Sequence, residues 1–115
     1  MSMFMDTSAK RAKLVSEWRL WALRIAGVAK EVISDAEVYV IGSVARGDSV
    51  GGSDVDILIV SEYVPKKPME IAKLKAFIEE RLDLPYYHPF EMHILSPEEA
   101  KRFIERSGGY VLRID

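Results

Sequence analysis

The chain has no cysteine among its 115 residues, which excludes disulfide bonds, thiolate metal ligands and thiol nucleophiles. Any bound metal ion must therefore be held by oxygen or imidazole ligands. The sequence also has no apolar run near the roughly 18 residues needed to cross a bilayer. Its start, MSMFMDTSAKRAK, contains no apolar core of the kind found in signal peptides. We therefore expect a soluble, cytoplasmic protein that does not bind membranes.

The chain also has no excess of positive charge. The chain has 16 Lys and Arg residues against 18 Asp and Glu residues, a net charge of −2. This balance argues against general nucleic-acid binding, whereas a single nucleotide bridged by a metal ion is compatible with it. A content of 49% hydrophobic and 30% charged residues is typical of a packed globular protein. The length predicts one domain, over residues 1–115.

The apolar periodicity predicts helices that alternate with strands in the order α-β-α-β-α-β-α-β. This pattern indicates an α/β (α+β) fold, with a mixed sheet of about four strands flanked by helices. A flexible, glycine-rich loop is expected over 48–53. The predicted elements are one long helix over 7–34, strand Glu37–Ile41, a short helix Ser43–Arg46 capped by Ser43, strand 54–60, a helix over about 71–82, strand Phe90–Leu95, a helix that begins with the capping box Ser96-Pro97-Glu98-Glu99, and strand 110–114.

Residues 42–56, GSVARGDSVGGSDVD, contain the most informative pattern in the sequence. Asp54 and Asp56 alternate at the head of an apolar strand, so both side chains project to one face. Two neighbouring carboxylates are costly to bury unless a cation accompanies them, and hard oxygen ligands select Mg²⁺ or Mn²⁺. The ordinary alternative is a solvated strand end with turn caps.

The turn at Gly42-Ser43 is suited to phosphate. Glycine permits close approach of a ligand, and the start of a helix offers amide N–H groups and a hydroxyl. Arg46 adds positive charge one turn later, although it could instead pair with Asp48 or with one of the aspartates. Carboxylates beside such a turn fit phosphoryl or nucleotidyl transfer assisted by two metal ions.

Glu91 lies in a later strand that could pair beside 54–60, where it would supply a third acidic ligand. An exposed glutamate on an edge strand is the alternative. His93 shares its face and could act as a base or ligand, or be a hydrogen-bonded histidine beneath a helix.

The run Gly42-Ser43-x10-Asp54-x-Asp56, with Ala45-Arg46-Gly47 inside it, resembles the signature of the DNA polymerase β-type nucleotidyltransferase superfamily. Within it, the chain is similar to the minimal nucleotidyltransferases, single-domain proteins often encoded beside a HEPN-domain partner in prokaryotic toxin–antitoxin pairs. The resemblance implies that Gly42 and Ser43 hold nucleotide phosphates and that Asp54 and Asp56 bind two Mg²⁺ ions. Glu91 stands where such proteins usually carry a third aspartate.

For antitoxins of this type, the resemblance implies transfer of AMP from ATP to a tyrosine hydroxyl of the HEPN toxin. The acceptor could be held by that partner or by a second copy of the chain in a homo-oligomer. Two alternatives stay open: a non-catalytic nucleotide-binding module that neutralises a toxin by complex formation, and a nucleotidyltransferase acting on a small molecule or an RNA end.

Overall fold

A four-stranded sheet forms the centre of the structure, a computed structural model in which residues 6–48 and 53–115 are described. Strand β2 (Val55–Val60) pairs in parallel with β3 (Phe90–Leu95), whereas β1 (Glu37–Ile41) pairs antiparallel with both β2 and β4 (Val111–Arg113). The mixed sheet confirms the predicted α/β class, and β2 is an inner strand, as its apolar residues on both faces predicted. The order of the strands across the sheet is β3-β2-β1-β4.

The two faces of the sheet are covered by different helices: α2 (Trp18–Val32) and α4 (Pro68–Arg81) on one face, and α5 (Pro97–Arg106) on the other. One face packs against α2 and α4 in a large core that includes Ile25, Ile57 and Ile78, each fully buried. Burying each of these side chains contributes roughly 1.5–3 kcal/mol. The second face carries a smaller core, to which α5 contributes Ala100. The helices are α1 Asp6–Ser16, α2 Trp18–Val32, α3 Ser43–Arg46, α4 Pro68–Arg81 and α5 Pro97–Arg106.

The single long helix predicted over 7–34 is wrong, because two helices, α1 and α2, meet at Glu17. Glu17 has φ −100° and ψ 22°, outside the helical region. Its N–H still bonds to the carbonyl oxygens of Lys13 and Leu14, at 3.0 and 3.2 Å. One non-helical residue leaves the apolar periodicity almost unchanged, so the pattern could not reveal the break.

The beginning of α3 also differs from expectation. Gly42, not Ser43, is the N-cap residue, and Ser43 is the first helical residue. Gly42 has φ 83° and ψ −155°, a conformation essentially confined to glycine, so the backbone itself makes the turn. The predicted closure at Gly47 is confirmed, since that residue adopts the left-handed conformation.

The capping box at Ser96 is confirmed. Its hydroxyl accepts the Glu99 N–H at 3.2 Å, and the Glu99 carboxylate accepts the Ser96 N–H at 3.0 Å. Two strand predictions were too long: β2 begins at Val55, one residue later than predicted, and β4 is one residue shorter at each end.

Most of the loop predicted over 48–53, namely residues 49–52, lies outside the described residues. Among the helices that the structure describes, none is both long and apolar enough to span a membrane.

Candidate active site

The aspartates of the motif lie at the beginning of β2, on the face of the sheet that packs against α5. Leu58 and Val60 belong to the core of that face, and alternation along the strand places Asp56 on the same side. Asp54 immediately precedes the strand. The Asp54 side chain is 54% exposed and that of Asp56 is 33% exposed, so the carboxylates lie at an accessible edge of the sheet.

Glu91 is brought beside both aspartates by the parallel pairing of β2 and β3. The predicted pairing of its strand beside 54–60 is confirmed, and Glu91 is the register partner of Asp56. A hydrogen bond with the Asp54 carboxyl is the largest cause that raises the pKa of Glu91, and burial and the negative charges of Asp54 and Asp56 raise it further. Three acidic groups therefore share one small volume, which is unfavourable when all are ionised without a cation.

His93 faces the same cluster. Its Nε2 lies 3.1 Å from Oδ1 of Asp56, and its ring packs against Phe103 of α5 with 4.6 Å between ring centroids. His93 is thus a hydrogen-bonded histidine beneath a helix. It also lies among possible metal ligands, because one ligand atom from each of Asp56, Glu91 and His93 lies within 4.8 Å of the others.

Arg11 of α1 lies beside Asp54, which precedes β2, whereas His93 lies beside Asp56 within that strand. Its Nη2 forms an ion pair with Oδ1 of Asp54, and its Nη1 donates to the carbonyl oxygen of Ser53 at 3.2 Å. These contacts join residues more than 40 positions apart in the sequence. Sequence reasoning missed Arg11, because an arginine on an amphipathic helix is normally a solvent-facing residue.

The turn at Gly42 lies directly against the acidic cluster. Ile41, the last residue of β1, is the register partner of Asp56, so the chain turns into α3 beside that carboxylate. A Cβ atom added at Gly42 would lie 3.3 Å from Oδ2 of Asp56. The glycine is required both by its positive φ and by this close approach.

Ser43 begins α3, where the first amide groups of a helix have no partner within the helix. Arg46 ends the same helix, and its Nε contacts Oδ2 of Asp48 at 3.3 Å. Pairing with Asp48 was the alternative to phosphate binding that the sequence left open for Arg46. A phosphate would have to compete with Asp48 for the Arg46 guanidinium. The predicted phosphate-binding roles of Gly42, Ser43 and Arg46 stay predictions.

The donor set fits a hard divalent cation. Carboxylate oxygens suit Mg²⁺ and Mn²⁺, and the imidazole of His93 is acceptable to Mn²⁺. The pKa of Glu91 is raised chiefly by the hydrogen bond with Asp54 and by burial, and the charges of Asp54 and Asp56 that add to this shift would be neutralised by a bound cation. Asp54, Asp56 and Glu91 would hold the ion, with His93 either orienting Asp56 or joining them as a ligand.

The comparisons with known proteins agree with this geometry. The family model described as "Nucleotidyltransferase domain" matches residues 24–110, from α2 to the residue before β4. The sequence gives no significant match to a curated protein.

Two solved structures are similar to the chain. One, of a candidate nucleotidyltransferase, is 33% identical, covers 79% of this chain and 94% of its own, and has a TM-score of 0.55. A second, of a candidate nucleotidyltransferase from Sulfolobus solfataricus, is 27% identical, covers 76% of this chain and 78% of its own, and has a TM-score of 0.47. With the family match over most of the sequence, and acidic groups gathered beside a glycine turn, the chain belongs to the nucleotidyltransferase domain family.

Proposed function

We propose that this chain is a Mg²⁺-dependent nucleotidyltransferase that transfers AMP from ATP to a hydroxyl group, and that the acceptor is a tyrosine of a HEPN-domain toxin. The observation that carries the enzymatic part is the convergence of Asp54, Asp56 and Glu91 beside the Gly42 turn. The choice of ATP and of the toxin tyrosine rests on the sequence resemblance to the minimal nucleotidyltransferases.

In this proposal each group of residues has a separate task. The Gly42-Ser43 turn receives the phosphates, because glycine permits a close approach to the backbone and the first amides of a helix have no partner within it. Asp54, Asp56 and Glu91 hold divalent cations, which when bound lower the pKa of the attacking hydroxyl and neutralise the leaving phosphates. His93 limits the rotation of Asp56 through its hydrogen bond.

The reaction forms a bond between the acceptor oxygen and the α-phosphorus and breaks the bond from that phosphorus to the oxygen bridging to the β-phosphate. Pyrophosphate leaves, and the hydroxyl proton passes to a carboxylate of the cluster. Catalysis in such transfers depends mainly on positioning and on charge stabilisation. The exposed position of Asp54 suits an acceptor presented by another macromolecule, because the described residues leave that edge of the sheet accessible.

The direct test measures transfer of label from α-³²P-labelled ATP to the protein encoded beside this chain. The reaction is run with Mg²⁺, with EDTA, and with an Asp54→Ala/Asp56→Ala variant. We expect label on a tyrosine of the neighbouring protein that is lost with EDTA and with the variant. A stable complex of the two proteins without any label would overturn the enzymatic proposal.

Glu91→Gln tests the third carboxylate in the same assay. If Glu91 binds the metal, the variant transfers label much more slowly, because an amide oxygen carries no charge to hold the cation. Full activity of Glu91→Gln would remove Glu91 from the metal site while leaving the rest of the proposal intact.

A further inference from the structure

Arg11 contacts the acidic cluster from a helix that lies outside the family match. That match begins at residue 24, within α2, whereas Arg11 belongs to α1. The Arg11 side chain is 23% exposed, and its guanidinium reaches both Asp54 and the carbonyl oxygen of Ser53. A helix outside the matched domain thus places a permanent positive charge on a carboxylate of the site.

The ion pair and a bound cation would compete for the same group. Asp54 receives the guanidinium on Oδ1 and is also hydrogen-bonded to Glu91. A divalent cation coordinated by Asp54 would lie close to the guanidinium, and two positive charges at that separation repel. Metal binding by Asp54 therefore favours departure of Arg11 from the carboxylate.

We propose that Arg11 is a further binding residue of this site, which holds Asp54 in the metal-free protein and moves to the phosphates of the nucleotide when the metal takes Asp54. The proposal rests on the function proposed above. It names the nucleoside triphosphate as the group that Arg11 recognises.

Chemical complementarity favours phosphate as the new partner. Arginine is always charged, and its planar fork matches two phosphate oxygens. Arg46, the cation that the sequence motif supplies, is already in contact with Asp48. Arg11 is therefore a second source of positive charge at the site, close to the carboxylate that the metal would bind.

The position of α1 limits how far Arg11 can move. Val15, one turn after Arg11, is buried at 5% exposure in the main core, and Leu14 packs against the same core. This packing restrains the helix backbone, so the proposed exchange from Asp54 to phosphate is a change of the Arg11 side-chain conformation. Such changes occur on the picosecond to nanosecond scale for accessible side chains, far faster than turnover.

The test separates metal binding from nucleotide binding in Arg11→Gln. Calorimetry with Mn²⁺ alone measures the first, and calorimetry with a non-hydrolysable ATP analogue in saturating Mn²⁺ measures the second. We expect Mn²⁺ to bind about two- to fivefold more tightly, because an exposed ion pair no longer competes. We expect the analogue to bind about tenfold more weakly, because a charge-assisted hydrogen bond is lost.

Two further variants serve as controls. Lys10→Gln removes the same charge from the adjacent, exposed position on α1 and should leave both affinities within twofold. Arg11→Lys keeps the charge without the fork and should give an intermediate nucleotide affinity. Thermal unfolding of each variant confirms that the fold is retained.

Weaker Mn²⁺ binding in Arg11→Gln would overturn the proposal, since Arg11 would then only orient Asp54. An unchanged affinity for the analogue would also overturn it. These failures are distinct from failure of the proposed function. If the proposed function fails, the unaltered protein itself transfers no label, whatever residue 11 is.

Discussion

Asp54 and Asp56 are separated by one residue, yet their neighbours come from different parts of the chain. Asp54 contacts a helix outside the family match, and Asp56 contacts a strand inside it. Asp54 is the more exposed and pairs with Arg11 of α1. Asp56 is the less exposed, and it lies between His93 of β3 and the Gly42 turn. The two aspartates therefore differ in their neighbours: Asp54 pairs with a helix outside the family match, whereas Asp56 contacts residues inside it.

The largest effect should come from removing either carboxylate. Asp54→Asn and Asp56→Asn should each lower the rate of label transfer about a thousandfold or more, because metal ions contribute several kcal/mol to transition-state stabilisation. Similar losses would show that both aspartates share one role despite their different neighbours. Asp83→Asn is a matched control, at an exposed residue with φ 53° that asparagine tolerates. A large loss for only one of the two aspartates would contradict a shared metal site.

Gly42→Ala tests the crowded side of the site. The substitution forces a side chain into a glycine conformation and brings its Cβ to 3.3 Å from Oδ2 of Asp56. We expect unfolding in urea to show a loss of about 1–3 kcal/mol, together with weaker Mn²⁺ binding. Gly27→Ala is the control, because its Cβ meets nothing within 4 Å on helix α2, and it should stabilise by about 0.5–1 kcal/mol. An unchanged stability in Gly42→Ala would mean that the turn is not constrained as described.

Substitutions of His93 test whether its hydrogen bond to Asp56 contributes to metal binding. His93→Phe removes the hydrogen bond to Asp56 and should lower Mn²⁺ affinity about 10–100-fold, measured by calorimetry. His93→Gln retains an amide donor and should lose less. If both variants bind Mn²⁺ as the unaltered protein does, His93 only packs beneath α5, and the two sides of the site differ less than the geometry indicates.

The smallest expected effect is on the pH dependence of stability, through the carboxyl group of Glu91, which lies beside both aspartates. The pKa of Glu91 is raised above its ordinary value of 4.5, chiefly by the hydrogen bond with Asp54. A raised carboxyl pKa contributes stability that is fully present below the ordinary value and is lost as the pH rises through the raised value. The metal-free protein should therefore lose stability over that window, and Glu91→Gln should flatten this part of the profile of melting temperature against pH. A profile identical in both proteins would show that Glu91 does not titrate in contact with Asp54.

Local features of the sequence predicted much of the fold. The capping box at Ser96 specifies its own hydrogen bonds within one turn, so the start of α5 followed from four residues. The alternation in β3 correctly separated buried Phe90, Met92 and Ile94 from the face of Glu91. The break at Glu17 was missed, because helical periodicity is insensitive to a single non-helical residue.

The candidate site was predictable only in part. Asp54 and Asp56 lie together because they are two residues apart, and the nearness of Glu91 followed from the assumption that β3 pairs with β2. The close approach of Gly42 to Asp56, by contrast, depends on how β1 and β2 are aligned. No local pattern contains that alignment, since it is set when the whole sheet forms.

The sequence by itself determined which chemical groups are available to this protein: carboxylates and imidazoles but no thiols, paired aspartates, and a Gly-Ser pair before them. These are properties of residue type and short spacing. Only the tertiary structure decided which distant groups meet those aspartates, with Arg11 on Asp54 and His93 on Asp56. The physical reason is that such contacts depend on strand register and on the direction of α1 relative to α2 across the break at Glu17, and both are set by packing across the whole chain.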